Sequence, residues 1–146
     1  MKIDNVSFEK YEGNDVFLLP KEAVKLIDEA DTDFFSVKNA LMYVEAGSHE
    51  LFLIRVNDEI KCVFVGEFQP ILSGKGYCIS ALSGKQIDTW FKQLVMFMDL
   101  KANLENIDNV YIVGRRGWGK KFNGFKEAAV IYECVVANST SLRQLH

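Results

Sequence analysis

Two kinds of hydrophobic periodicity alternate along the chain. Residues 21–30 place Ala23, Val24, Ile27 and Ala30 at helical spacing behind Pro20, a residue suited to a helix entrance, which predicts a short first helix. Asp33 reads as the cap of a second helix, whose apolar face of Phe34, Val37, Leu41, Tyr43 and Val44 ends at Gly47. From residue 51 the period changes. Residues 51–56 and 60–65 are apolar, β-branched runs around Asn57-Asp58-Glu59, which predicts a hairpin. A third strand is predicted over 76–82, after a turn between Pro70 and Gly74 and before Ser83-Gly84. Residues 86–104 return to three- and four-residue spacing through Ile87, Trp90, Phe91, Leu94, Phe97, Met98 and Leu104, the mark of an amphipathic helix. Residues 109–113 then read as a strand, so 76–113 forms a strand, helix and strand unit whose two strands pair in parallel. One more strand is predicted over 128–136, followed by a polar tail. On this reading two helices precede the whole sheet.

The composition changes this picture little. A chain of 146 residues, 49% hydrophobic and 25% charged, has the size and make-up of one α/β domain, taken here as residues 1–136 with a tail over 137–146. The net charge of −3 supplies no field that would draw nucleic acid or anionic lipid, so neither is an expected partner. No apolar stretch approaches the ~20 residues of a membrane helix, and residues 1–5 do not resemble a signal segment, so a soluble, intracellular protein is expected. Cys62, Cys78 and Cys134 sit singly inside apolar runs, as buried reduced thiols do. His49 and His146 have no cysteine or carboxylate at a ligand spacing, so no metal is expected.

The most specific stretch is Val113-Gly114-Arg115-Arg116-Gly117-Trp118-Gly119-Lys120-Lys121-Phe122-Asn123-Gly124-Phe125-Lys126. With the element order, it resembles the fifth strand, short helix and Gly-Phe turn of GNAT-type N-acetyltransferase folds, in the bacteriophage branch that carries an Arg-x-Gly-Trp element. The resemblance implies a mixed central sheet flanked by helices. Trp118 would anchor the short helix, and Gly124 would turn the chain so that Phe125 enters the core.

The resemblance also implies a place for acetyl-coenzyme A, whose pyrophosphate such folds hold with a Gln/Arg-x-x-Gly-x-Gly/Ala loop at the start of the long helix. The matching segment here is Leu82-Ser83-Gly84-Lys85-Gln86-Ile87-Asp88, with one glycine of the pair and an added negative charge at Asp88. Ser83, Gly84, Lys85 and Gln86 are the candidate pyrophosphate loop, and Arg115 with Arg116 is a candidate anion clamp. The tyrosine that protonates the departing thiol in this family has no counterpart between Arg116 and Asn123. Tyr77, Tyr111 and Tyr132 lie on predicted strands and read as core or cleft aromatics. Glu45, Glu50 and Glu67 are candidates for a general base or for solvated surface. No catalytic residue is assigned.

Two functions compete on these residues. The eroded loop and the phage-like motif favour a non-catalytic binding or assembly module, a virion component or host-directed factor in the host cytoplasm, with a protein partner from phage assembly or the host. Leu142 and Leu145, three apart in the tail, would then dock on a neighbouring subunit. The alternative is an acetyl-CoA-dependent N-acetyltransferase in which Ser83, Lys85 and backbone amides stand in for the missing glycine.

Overall fold

A computed structural model describes residues 4–29, 37–72 and 74–112. These belong to one compact unit, Met1–Gly114. Asp33, Phe34, the motif from Val113 onward with Arg115, Arg116, Trp118, Gly124 and Phe125, the closing strand with Tyr132 and Cys134, and the tail with Leu142, Leu145 and His146 lie outside the described residues.

The sheet starts earlier than the sequence suggests. Val6–Tyr11 forms an edge strand, β1, before any helix, and a 3-10 turn over Gly13–Leu18 leads on to Lys21–Glu29 (α1) and Val37–Glu45 (α2). Only Val6, Phe8 and Tyr11 of β1 are even half-buried, so its pattern is too weak to register as a strand beside the stronger runs that follow. The carbonyl of Pro20 accepts the N–H groups of Ala23 and Val24 and so opens α1, which buries Ala23, Leu26 and Ile27. Helix α2 ends where Gly47 takes φ +86°, as the glycine predicted.

Strands Glu50–Val56 (β2), Glu59–Ile71 (β3), Gly74–Gly84 (β4) and Asn109–Ile112 (β5) complete a five-stranded sheet in the order β1-β2-β3-β4-β5. The first four are antiparallel and β5 joins β4 in parallel. The predicted hairpin is present, with Asn57 and Asp58 both at positive φ in its two-residue turn. β3 and β4 run several residues past their predicted ends, and Pro70 lies inside β3 near the hairpin end. The long helix begins later than expected. Gln86 is left-handed, Ile87–Thr89 is a 3-10 turn, and α3 occupies Phe91–Glu105.

Two alternating sets of side chains separate the faces of the sheet. Leu51 and Leu53 of β2 with Val63 and Val65 of β3 pack against Val16, Ala23, Leu26, Ile27, Ala40 and Val44. On the other face Phe8, Phe52 and Phe64 gather around Phe97 of α3, with Phe8 and Phe97 stacked at 4.3 Å between ring centroids. Leu94 and Met98 are buried as predicted, whereas Leu104 is exposed because α3 turns that side outward. Cys62 and Cys78 are buried and free. Among the described residues no helix is long and apolar enough to cross a membrane.

Candidate active site

Among the described residues, which end at Ile112, β5 pairs with residues 76–79 of β4, and β4 continues along β3 to Gly84. β4 carries a bulge: Val65 pairs with Ala81 and Gly66 with Ile79, leaving Ser80 as the extra residue, its hydroxyl donating to the Val65 carbonyl at 3.3 Å. Further along, the Lys85 N–H donates to the Lys61 carbonyl at 2.7 Å. Backbone alternation then directs Ser83 toward β3 as well and turns the N–H and C=O groups of Leu82 and Gly84 away from β3.

The four predicted loop residues come together at the head of α3, in a form the sequence does not suggest. Ser83 is buried and Gly84 is the last residue of β4. A Cβ on Gly84 would come within 2.8 Å of both the Lys61 carbonyl oxygen and the Trp90 ring, so the glycine is required for close packing. The Lys85 carbonyl accepts the Trp90 indole N–H at 2.8 Å. The Gln86 carbonyl accepts the Thr89 N–H at 2.9 Å and the Thr89 hydroxyl at 2.7 Å. With the Lys85 amide engaged by β3, anion binding here would draw on the exposed Lys85 ammonium and the start of α3, against the exposed carboxylate of Asp88.

A row of reactive side chains crosses the sheet on the α1/α2 face. Cys78 is the registered partner of Glu67 on β3 and of Tyr111 on β5, and extension of the β2–β3 register sets His49 opposite Glu67. His49 Nε2 lies 2.9 Å from Glu67 Oε2, and Gln69 Nε2 donates to Glu67 Oε1 at 2.8 Å. The Ser48 hydroxyl lies 3.0 Å from His49 Nδ1, and the Tyr43 ring stacks on the imidazole at 4.9 Å. Burial, with the Glu67 charge behind it, pushes the Cys78 thiol up; burial alone pushes Cys62 well up. Neither cysteine is a thiolate nucleophile.

The three glutamates considered as bases separate. Glu45 is exposed at the end of α2. Glu50 points to the opposite face, where its carboxylate meets Lys10 and Lys101, each at 2.9 Å. Burial opposes ionisation of Glu50, but hydrogen bonds from Lys10 and Lys101 outweigh it and hold the carboxyl below its usual range, which makes it a weak base. Lys101, 8% exposed, also pairs with Glu105 and lies 5.1 to 5.5 Å from the ring centroids of Phe52, Phe68 and Tyr77. Tyr77 is completely buried beside this network, and burial first, then the Glu50 charge, pushes its phenol far up. Only Glu67 shares a face and a hydrogen bond with a second titratable group suited to proton transfer. On sequence His49 is weighed only as a metal ligand; its partner Glu67 lies 18 residues away across a hairpin. Among the described residues no group of three or more His, Cys, Asp or Glu is placed to hold a metal ion.

No protein-family model and no curated protein sequence matches the chain. Solved structures do. A ribosomal-protein-alanine N-acetyltransferase from Brucella melitensis biovar Abortus is similar at a TM-score of 0.64 with 14% identity, over 92% of this chain and 100% of that one. Glucosamine-6-phosphate N-acetyltransferase from Arabidopsis thaliana gives 0.64 with 10% identity, over 90% and 98%. A predicted acetyltransferase from Clostridium acetobutylicum, solved with acetyl-CoA, gives 0.57 with 16% identity, over 90% and 96%. At these identities the likeness concerns architecture: the chain has the GNAT α/β fold, a mixed five-stranded sheet flanked by helices.

Proposed function

We propose that the protein is an acetyl-coenzyme A-dependent N-acetyltransferase, the alternative reading of the sequence rather than its first one. The observation that carries the proposal is the His49–Glu67 pair, held across β2 and β3 in a sheet of the GNAT fold. The outward amide groups of Leu82 and Gly84 suit the amide-bearing arm of coenzyme A, and Lys85 suits its phosphate end. Bound there, the coenzyme would supply an acyl group activated as a thioester. The chain's own contribution is proton handling and orientation. His49, held by Glu67 and stacked on Tyr43, accepts the proton that an amine must lose before or during acylation. Tyr111, the registered partner of Cys78, extends the same row onto β5.

The direct test is thermal unfolding with acetyl-CoA. A specific ligand at roughly 100 times its Kd adds about 2.7 kcal/mol, and release of free thiol in the presence of primary amines would report turnover. No stabilisation by acetyl-CoA at millimolar concentration removes the proposal.

A second reading has its own support, in the engagement of the Lys85 N–H by Lys61 and the exposed Asp88 where phosphate would lie. On that reading the GNAT fold serves as a non-catalytic binding or assembly module with a protein partner, as in the phage branch that the 113–126 motif resembles. It requires that acetyl-CoA leave the melting temperature unchanged. It further requires that removal of residues 138–146, with Leu142 and Leu145, weaken association in sedimentation without unfolding the chain.

A further inference from the structure

We propose that Ser48 is an acyl-accepting nucleophile, activated by His49, with Glu67 as the positioning carboxylate. The proposal shares the His49–Glu67 pair with the function above but does not depend on coenzyme binding. Ser48 follows Gly47 at the end of α2 and its side chain is exposed. The His49 and Glu67 side chains behind it are 11% and 27% exposed. A reactive hydroxyl is thus open to solution while its base is sheltered.

Proton accounting sets the direction of the relay. With the Nε2–H of the neutral imidazole donated to Glu67 at 2.9 Å, Nδ1 carries a lone pair that needs a donor. The Ser48 hydroxyl has one proton and two acceptors in reach, His49 Nδ1 at 3.0 Å and the Tyr43 carbonyl at 3.1 Å. That carbonyl already accepts the N–H groups of Ser48 at 3.1 Å and His49 at 3.3 Å. A third bond adds least there, so the proton is best placed on the path to Nδ1. Nucleophile on base and base on carboxylate is the geometry that activates a serine, here with the two ring nitrogens in exchanged roles. Gln69 holds the other Glu67 oxygen and Tyr43 holds the ring plane, so the relay is braced at both ends.

The substrate class is an acyl ester or thioester with a good leaving group. The Ser48 oxygen bonds to the acyl carbon as its proton passes to His49 Nδ1. The bond from that carbon to the leaving oxygen or sulfur then breaks. The leaving group departs as an anion or takes the proton from His49. The product is an ester at Ser48, and no oxidation or reduction occurs.

The test uses the full chain and p-nitrophenyl acetate. A burst of nitrophenolate equal to the protein concentration is expected, with one acetyl group on the Ser48 peptide in mass spectrometry. Ser48→Ala should abolish the burst with an unchanged melting temperature, and Ser7→Ala, at an exposed site on β1, should leave it intact. His49→Gln should slow it by ~100-fold or more. Glu67→Gln keeps a hydrogen-bonding oxygen but removes the charge, and should slow acylation while the acetyl group still maps to Ser48. A burst that survives Ser48→Ala, an acetyl group found only on lysine or the amino terminus, or no burst at all overturns the proposal. None of these results changes the acetyl-CoA melt, so failure of one reading is distinct from failure of the other.

Discussion

The indole N–H of Trp90 donates to the Lys85 carbonyl at 2.8 Å, which ties the side chain preceding α3 to the loop that leads into it. Trp90 is fully buried and its ring also forms the wall against which Gly84 packs. Trp90→Ala should destabilise by ~3–5 kcal/mol. Trp90→Phe keeps most of the volume but leaves the Lys85 carbonyl without this donor, and should cost about 1 kcal/mol. Denaturant melts give both values. If acetyl-CoA binds at this loop, the phenylalanine variant should also show a smaller stabilisation by the ligand.

Gly84→Ala isolates the packing role of that glycine. The added methyl meets backbone and ring within 2.8 Å, so a loss of about 1–3 kcal/mol is expected without any ligand present. An unchanged melt of the free protein would show that the strand end and Trp90 yield to the methyl.

Lys101 is the cation of the opposite face. Lys101→Met removes the cation that Glu50 and Glu105 share and leaves Glu50 with Lys10 alone, at an expected cost of about 1–3 kcal/mol. Adding Glu50→Gln should recover part of that loss, because the under-paired charge is removed with it. Additive losses in the double variant would contradict the pairing.

The same network sets an acid limit. The Glu50 carboxyl is held below its reference value of 4.5, so it contributes stability that is complete above that value and is lost as pH falls through the lower, folded-state value. Melting temperatures measured from neutral pH down to about pH 3 should fall more steeply for the parent chain than for Glu50→Gln. Parallel curves would assign the acid limb to other carboxylates.

Cys62 and Cys78 should resist thiol reagents in the folded state, since burial pushes both thiols up. In a Cys134→Ser background, labelling by a chromogenic disulfide should await unfolding. Fast labelling of either thiol would contradict its burial.

Much of the fold was legible in the chain. The alternation through 51–65, the period of 86–104 and the short apolar run from 109 specify a hairpin, a crossover helix and a parallel return, because side-chain burial follows backbone period. Edge strand β1 was not legible, since a strand with one covered side leaves only two or three apolar positions to read. The candidate site was less legible still, for a reason of register. The hairpin turn at Asn57 and Asp58 would pair His49 with Gly66 if the strands ran evenly. An extra residue at Lys61 shifts the pairing by one and brings Glu67 to His49 instead. Ser80 does the same on β4, so that Cys78 rather than Ile79 faces Glu67. A one-residue bulge moves every later side chain to the other face, and no local propensity in these apolar runs announces it. The sequence therefore determined which segments become strands and helices. Tertiary pairing alone decided which of His49, Glu50, Glu67 and Lys101 meet, and on which side of the sheet.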